Sequence, residues 1–326
     1  MKILALALVA SGVVTVILGF VAVPLLSKLK AGQPILKYVE THKEKSGTPT
    51  MGGLFFIIPS AACFFIFGGG GRMASVAVVI GLAYMLVGFI DDFIKVKYRH
   101  NQGLKAYQKI IFQMVIAVIA GVFAFNNGLN VMHIPFSKES VDTGYFTIPI
   151  VAIVFLAVTN SVNLTDGLDG LASSVSVCYL TILVALVLLQ TSALQFMYIK
   201  IEEYQNLSLL AVCLIGGLLG FLVFNVSRAK VFMDDTGSLA LGGFIASISI
   251  FSSNTLFIPI IGIMFVLSSI SVIVQVAHFK RTKKRVFLMT PLHHHFQLKG
   301  VSESKISYVY SLITLAVGLL TLLSYM

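Results

Sequence analysis

The sequence predicts an all-α polytopic membrane protein of about ten spans, a single integral membrane domain over residues 1–326. Three observations carry that expectation. Of the 326 residues 57% are hydrophobic and only 11% charged, and the mean hydropathy of +0.96 lies far outside the range of soluble domains. Apolar stretches of spanning length recur along the chain. The basic residues gather in alternate connections between those stretches.

A spanning helix needs about 20 mostly apolar residues, and such stretches fall at 3–26, 51–68, 73–90, 108–126, 145–163, 171–190, 206–225, 237–252, 255–278 and 304–325. The first is a true span, not a signal peptide, because its apolar run is too long and basic residues follow it. The second ends at the flexible run Gly68–Gly71. The fifth contains Pro149 and closes on polar residues.

All but Lys2, Arg72, Lys138 and Lys200 of the 23 basic residues fall in the loops after spans one, three, five, seven and nine. Lys and Arg accumulate on the cytoplasmic side, so those loops are cytoplasmic and both termini face outward. The net charge of +10 then reads as the positive-inside bias together with attraction to anionic lipid, with no nucleic-acid partner. Cys63, Cys178 and Cys213 lie within apolar runs without C-x-x-C spacing, which excludes a disulfide framework or a zinc site and leaves small hydrophobes.

Against this background the acids stand out. Asp91, Asp92, Asp166, Asp169, Asp234 and Asp235 all fall at or beside cytoplasmic span ends. Adjacent carboxylates such as Asp91 and Asp92 repel, so one pKa rises to give a proton acceptor near neutrality, or the two share a hard cation. Lys95, one turn on, suits a phosphate or neutralises the pair. In "TNSVNLTDGLDGLA" the groups Asn160, Asn163, Asp166 and Asp169 recur every three residues, beside Gly167 and Gly170. They fit hydrogen bonding to a polar headgroup, or a helix junction at which Asp166 or Thr165 caps span six.

"VFMDDTGS" sets a second acid pair at a helix start, suited to binding a metal, or to capping by Asp235 or Thr236. "KEKSGTPTMGG" is a basic turn entering span two. In "PLHHHFQLKG" three successive histidines cannot all meet one metal from a regular element, but neutral imidazoles can donate to phosphate oxygens, orient water or shuttle a proton. A solvated loop is the plain alternative.

Together "KSGTPTMGG", "DDFIK", "NSVNLTDGLDGLA", "VFMDDTGS" and "PLHHHFQLKG" closely resemble the polyprenyl-phosphate N-acetylhexosamine-1-phosphate transferases, in the phospho-N-acetylmuramoyl-pentapeptide transferase (MraY) branch, over nearly the whole chain. The resemblance implies Mg2+-dependent transfer of phospho-MurNAc-pentapeptide from UDP-MurNAc-pentapeptide to undecaprenyl phosphate. The products are lipid I and UMP, the place the cytoplasmic face of a bacterial plasma membrane, and the pathway peptidoglycan synthesis. It also implies a homodimer.

By motif, the resemblance makes Asp235 the Mg2+ ligand and Asp92 the base for the lipid phosphate with Asp91 beside it, and sets His293, His294 and His295 near the pyrophosphate. Lys45, Thr50, Lys95, Lys109, Asn163, Asp166, Asp169, Asn225, Phe232 and Gln275 fall at nucleotide- and phosphate-site positions, with Phe232 stacking on uracil. Two residues depart from the family pattern: Asp234 replaces the usual glycine and Arg228 a common proline. Two other functions compete: the same chemistry on UDP-GlcNAc, and a transporter, which would place its acids near the midplane on broken helices.

Overall fold

The computed structural model describes residues 2–28, 47–98, 103–137, 139–193, 198–226 and 228–325. Helices dominate, and each of the ten apolar stretches corresponds to one, except the ninth, which holds two. Eight are long and apolar enough to cross a membrane: α1 (Lys2–Lys28), α3 (Arg72–Tyr98), α4 (Ala106–Asn126), α5 (Thr147–Thr165), α6 (Leu171–Ala193), α7 (Tyr198–Asn225), α10 (Ile263–Thr282) and α12 (Glu303–Tyr325). The chain is a multi-pass membrane protein. The other two stretches are α2 (Leu54–Ile66), only 13 residues long, and α8 (Asp234–Phe251), of 18 residues.

Three boundaries differ from the hydropathy reading, each for a local reason. α3 continues to Tyr98, because backbone hydrogen bonds persist where apolar character ends, so Asp91 and Asp92 lie inside the helix and not at its end. α5 stops at Thr165, which leaves Asn160 and Asn163 on the helix but Asp166 and Asp169 in the following loop. The ninth stretch is broken at Gly262 into the single turn α9 (Ile258–Ile261) and α10. Pro149 sits in the first turn of α5, where its missing N–H costs no helical bond.

The helix α8 forms the centre. Every residue from Asp235 to Phe251 is buried, with α3 and α5 packed along it. Around this core α1 packs on α7 and α2, α4 on α5, and α6 on both α7 and α12. The enclosed helix is rich in Gly, Ala and Ser, and small side chains let backbones approach closely where apolar burial gives no preference between protein and lipid. At Gly88 of α3 an added Cβ would lie 2.1 Å from the carbonyl oxygen of Asp235.

The end of the bundle away from the acid pairs is tied differently. A hairpin of β1 (Val131–His133) and β2 (Ser140–Asp142) leads into α5. The Glu203 carboxylate of α7 accepts the first backbone N–H groups of α3, from Arg72 at 2.7 Å and Met73 at 3.0 Å. Gln190 and Asn254 exchange side-chain amide bonds of 2.8 and 3.0 Å.

Substitution of Gly88 by Ala is expected to force α3 off α8 and cost about 3 kcal/mol. Ala at Gly70, where a Cβ would meet nothing within 4 Å, is expected to stay within ~0.5 kcal/mol of the parent. Thermal unfolding of both variants in detergent checks the contrast.

Candidate active site

Helical spacing puts Asp91, Asp92 and Lys95 on neighbouring positions of α3, and the close α3–α8 contact brings Asp235 to them. The Lys95 ammonium lies 2.6 Å from Asp91 Oδ2, 3.2 Å from Asp92 Oδ1, 2.9 Å from Asp235 Oδ2 and 3.7 Å from Asp234 Oδ1. A second ammonium, Lys109 of α4, also stands 2.9 Å from Asp235 Oδ2. Lys105, four residues earlier, is exposed. Asn163 of α5 donates to Asp235 Oδ1 and, at 2.8 Å, to Ser238 Oγ.

Asp92, wholly buried, reaches across to α8. Its Oδ2 accepts the Thr236 backbone N–H at 2.8 Å and the Thr236 hydroxyl at 2.6 Å. A carboxylate from one helix therefore caps the N-terminus of another, where unpaired N–H groups and the helix dipole favour negative charge. Asp91 Oδ1 accepts the Leu104 N–H at 2.8 Å, which brings the start of α4 to the cluster. Oxygens of Asp91, Asp92 and Asp235 lie within 4.8 Å of one another. An all-oxygen, acidic donor set suits a hard divalent cation, and the Lys95 ammonium at its centre marks where positive charge is held.

A cleft of about 190 Å³ opens beside the cluster, lined by Asp166, Asp169, Asn225, Phe232 and Asp234 among others. Phe232 is fixed by main-chain pairing. Its N–H donates to Pro49 O at 2.9 Å, and its carbonyl accepts the Gly52 N–H at 2.9 Å, so the turn that contains buried Thr50 is stitched to the approach to α8. Asn225 is a brace. Its Oδ1 accepts from Gly170 N at 3.1 Å and Ser173 Oγ at 3.3 Å, and its Nδ2 donates to Val231 O at 3.0 Å. Asp169 Oδ2 accepts the Ala229 N–H at 3.0 Å. Burial lifts the Asp166 carboxyl well above the usual carboxylate range, and the charges of Asp234 and Asp235 push the same way.

The histidines occupy the short helix α11 (Leu292–Leu298), over the Asp166–Asp169 loop. Gly167 is the point of contact, since a Cβ there would come within 2.2 Å of His293 Nε2 and 3.0 Å of His294 Nε2. His293 is fully buried, and neither ring nitrogen has a hydrogen-bond partner among the described residues. His294 Nδ1 lies 3.0 Å from Gln297 Oε1. His295 Nδ1 accepts the Leu288 N–H at 3.1 Å. Gln275 of α10 pins the preceding loop, its Oε1 accepting from the N–H groups of Val286 and Phe287, both at 3.0 Å.

Of the residues selected from sequence, Asp91, Asp92, Asp235, Lys95, Lys109 and Asn163 converge on one point. Asp166, Asp169, Asn225 and Phe232 line the adjoining cleft, and His293 to His295 cover the loop beside it. Thr50 and Gln275 sit further out, in the segments that hold Phe232 and the histidine helix. Lys45 falls outside the described residues. Asp166 does not cap α6, because it ends α5, its N–H bonding to Asn163 O at 3.2 Å. Neither Asp235 nor Thr236 caps α8 with its own side chain; Asp92 takes that part.

Thr236, Ser238, Gln297 and Glu303 do not stand out in the sequence as site residues. Their signal is a hydrogen-bonding side chain inside or beside a motif, and the partners that place Thr236, Ser238 and Glu303, namely Asp92, Asn163 and Asp169, lie far along the chain. Asp234 has φ +54°, the left-handed region where glycine fits without strain. Arg228 has φ +64°, which proline, locked near −65°, cannot adopt.

Fold and site together define a multi-pass membrane protein with a buried acidic cluster, and residues 74–253 match the model described as Glycosyl transferase family 4. Residues 45–57 match phospho-N-acetylmuramoyl-pentapeptide-transferase signature 1. The phospho-N-acetylmuramoyl-pentapeptide-transferase of Clostridium botulinum (strain Alaska E43 / Type E3) is 43% identical over 303 residues, 92% of this chain and 90% of that protein. Those of Clostridium novyi (strain NT) and Caldanaerobacter subterraneus subsp. tengcongensis are 40% and 41% identical, over 96% and 93% of this chain and 94% and 92% of theirs. The chain belongs to the phospho-N-acetylmuramoyl-pentapeptide-transferase family.

Burial, with His294 adding to it, holds the His293 imidazole down to about 3, below its ordinary 6.5. The unfolded chain therefore takes up a proton that the folded one refuses. The stability this residue allows is complete above the unfolded value and falls as pH drops towards the folded one. The loss attributable to His293 is expected to be ~2 kcal/mol between about pH 7.5 and about pH 5. It should vanish from the pH dependence of unfolding in His293→Asn. Relief of the left-handed strain in Asp234→Gly is expected to stabilise the fold by ~1 kcal/mol, read as a raised unfolding temperature.

Proposed function

We propose that the chain transfers phospho-MurNAc-pentapeptide from UDP-MurNAc-pentapeptide to undecaprenyl phosphate, giving lipid I and UMP, with Mg2+ at the aspartate cluster. The single observation that carries this reading is the convergence of Asp91, Asp92 and Asp235 on two lysine ammonium groups, beside a polar cleft at one end of an apolar bundle. A soluble nucleotide and a lipid phosphate can meet there. By the positive-inside rule the basic loops of the sequence support a cytoplasmic site and outward termini, and the similarity to bacterial relatives supports the bacterial plasma membrane. A transporter would set its acids near the midplane; here they gather at one end.

In the transfer, an oxygen of the lipid phosphate attacks the phosphorus bonded to MurNAc. The bond from that phosphorus to the bridging oxygen breaks, and UMP leaves with that oxygen. Two anions must approach, and Lys95 and Lys109 offset their repulsion. Asp91 and Asp235 would hold Mg2+, which would supply Lewis-acid stabilisation of the charge on the transferred group. A phosphate monoester is largely ionised near neutrality, so Asp92 need only take its residual proton. Oδ1 is the oxygen for that role, since Oδ2 is committed to α8. With no exposed surface and Oδ2 held by two donors, Asp92 is poorly placed for covalent attack, which favours direct transfer. Phe232 in the cleft offers a face for uracil.

Purified protein in detergent with undecaprenyl phosphate is expected to release UMP from UDP-MurNAc-pentapeptide and not from UDP-GlcNAc, and to stop when Mg2+ is chelated. Asp92→Asn and Asp235→Asn should each lower kcat by about 100-fold or more. Turnover on UDP-GlcNAc alone would transfer the chain to the sister chemistry. Metal-independent release would remove Mg2+ from the site.

A further inference from the structure

The histidine helix is joined to the Asp166–Asp169 loop by a chain of hydrogen bonds whose polarity can be read from chemistry. Gln297 Nε2 lies 3.1 Å from Glu303 Oε1. A carboxylate only accepts, so the amide nitrogen of Gln297 faces Glu303 and its oxygen faces His294. That oxygen, 3.0 Å from His294 Nδ1, can only accept, so Nδ1 carries the proton. In a neutral imidazole the lone pair then sits on Nε2, on the side of Gly167. The relay is anchored at its far end too. Glu303 Oε2 accepts the Asp169 N–H at 3.3 Å, and Ser307 Oγ donates to Asp169 O at 3.3 Å, so the start of α12 grips the loop against which His294 packs.

We infer that Glu303 is a positioning residue: acting through Gln297, it fixes the Nδ1–H tautomer of His294 and presents Nε2 towards the Gly167 loop as an acceptor. The reach of that Nε2 to a reacting group rests on the transferase reading. The tautomer itself does not. Orienting partners of this kind set which imidazole nitrogen is available, and at metal-bound histidines their loss costs about 10- to 100-fold.

The relay makes an asymmetric prediction for its variants. In Glu303→Gln the new amide must still turn its oxygen to the Asp169 N–H, so its NH2 meets the NH2 of Gln297. Gln297 then flips, its nitrogen faces His294, and the ring moves its proton to Nε2. In the double variant, Gln297→Glu with Glu303→Gln, every bond is restored: the links at His294 and Asp169 keep their direction, and the 297–303 link is reversed. His294 Nδ1–H donates to the new carboxylate at position 297, the new amide nitrogen at position 303 donates to that same carboxylate, and the Asp169 N–H donates to the amide oxygen at position 303. The charge has moved one link nearer the imidazole. Around His294 the titratable groups are His293 and His295 on its own helix, Glu303 from α12, and Asp166 and Asp169 flanking Gly167; among these the double variant displaces only the carboxylate of the relay.

The test is nitrogen NMR of the full-length protein labelled at histidine, with the His294 signals assigned by their loss in His294→Gln, alongside UMP release. The parent is expected to show protonated Nδ1 and unprotonated Nε2. Glu303→Gln should reverse that pattern and lower kcat about 10- to 100-fold with KM little changed. The double variant should restore the tautomer and most of kcat, and raise the His294 limb of the pH profile by about one unit. An Nε2–H tautomer in the parent, an unchanged tautomer in Glu303→Gln, or failure of the double variant to recover while its unfolding temperature matches the parent would each overturn the inference. Because the spectra need no substrate, absence of UMP release from the parent would sink the transferase reading alone.

Discussion

The Lys95 ammonium, set among the carboxylates of Asp91, Asp92, Asp234 and Asp235, is the interaction on which the rest of the structure depends. Four acids at the junction of two buried helices would repel one another, and each would resist leaving water. One cation on α3, joined by Lys109 from α4, lets α3 approach α8 until their backbones nearly touch at Gly88. Removing either ammonium would leave charge buried without compensation, which costs more than the pair itself contributes. Asp92 uses its second oxygen to cap α8, so the same residue closes a helix end and faces the cluster.

From that junction the structure grades outward in rigidity and purpose. The carboxylates and Asn163 stand on helices α3, α5 and α8, where packing fixes them. The cleft beyond is built of loops, yet each loop is tied by groups that read as ligand contacts in the sequence: Asn225 braces the start of α6, Asp169 holds the Ala229 amide, and Gln275 pins the strand of chain before the histidines. Side chains already engaged in this way position their neighbours. Phe232, held through its backbone N–H and carbonyl, has its ring better placed to meet a substrate.

Much of this was legible beforehand because membrane sequences separate their signals. In a background of Leu, Ile, Val and Phe, a doublet such as Asp91–Asp92 or a run such as His293–His295 has few innocent explanations, and hydropathy located every helix of spanning length. It did not locate their ends, because a helix is defined by main-chain bonding, which ignores the polarity that ended span three at residue 90. It also treated α8 as one span among ten, whereas its Ser, Gly and Ala residues mark a helix that touches protein on all sides. The connections escaped for a different reason. Thr236 beside two acids looks like its own cap, and its true partner, Asp92, lies 144 positions away. Glu303 likewise has the look of an ordinary first-turn acid at the start of α12, and only the fold sets it against Asp169.

The enclosure of α8 carries a consequence for how the chain is made. A segment with two aspartates and several serines gains little from entering lipid alone. Its surroundings must therefore be in place when it arrives, and the order of synthesis provides them, because α3 and α5, the helices packed along it, both leave the ribosome first. The centre of the molecule thus has its main packing partners, α3 and α5, earlier in the chain than itself.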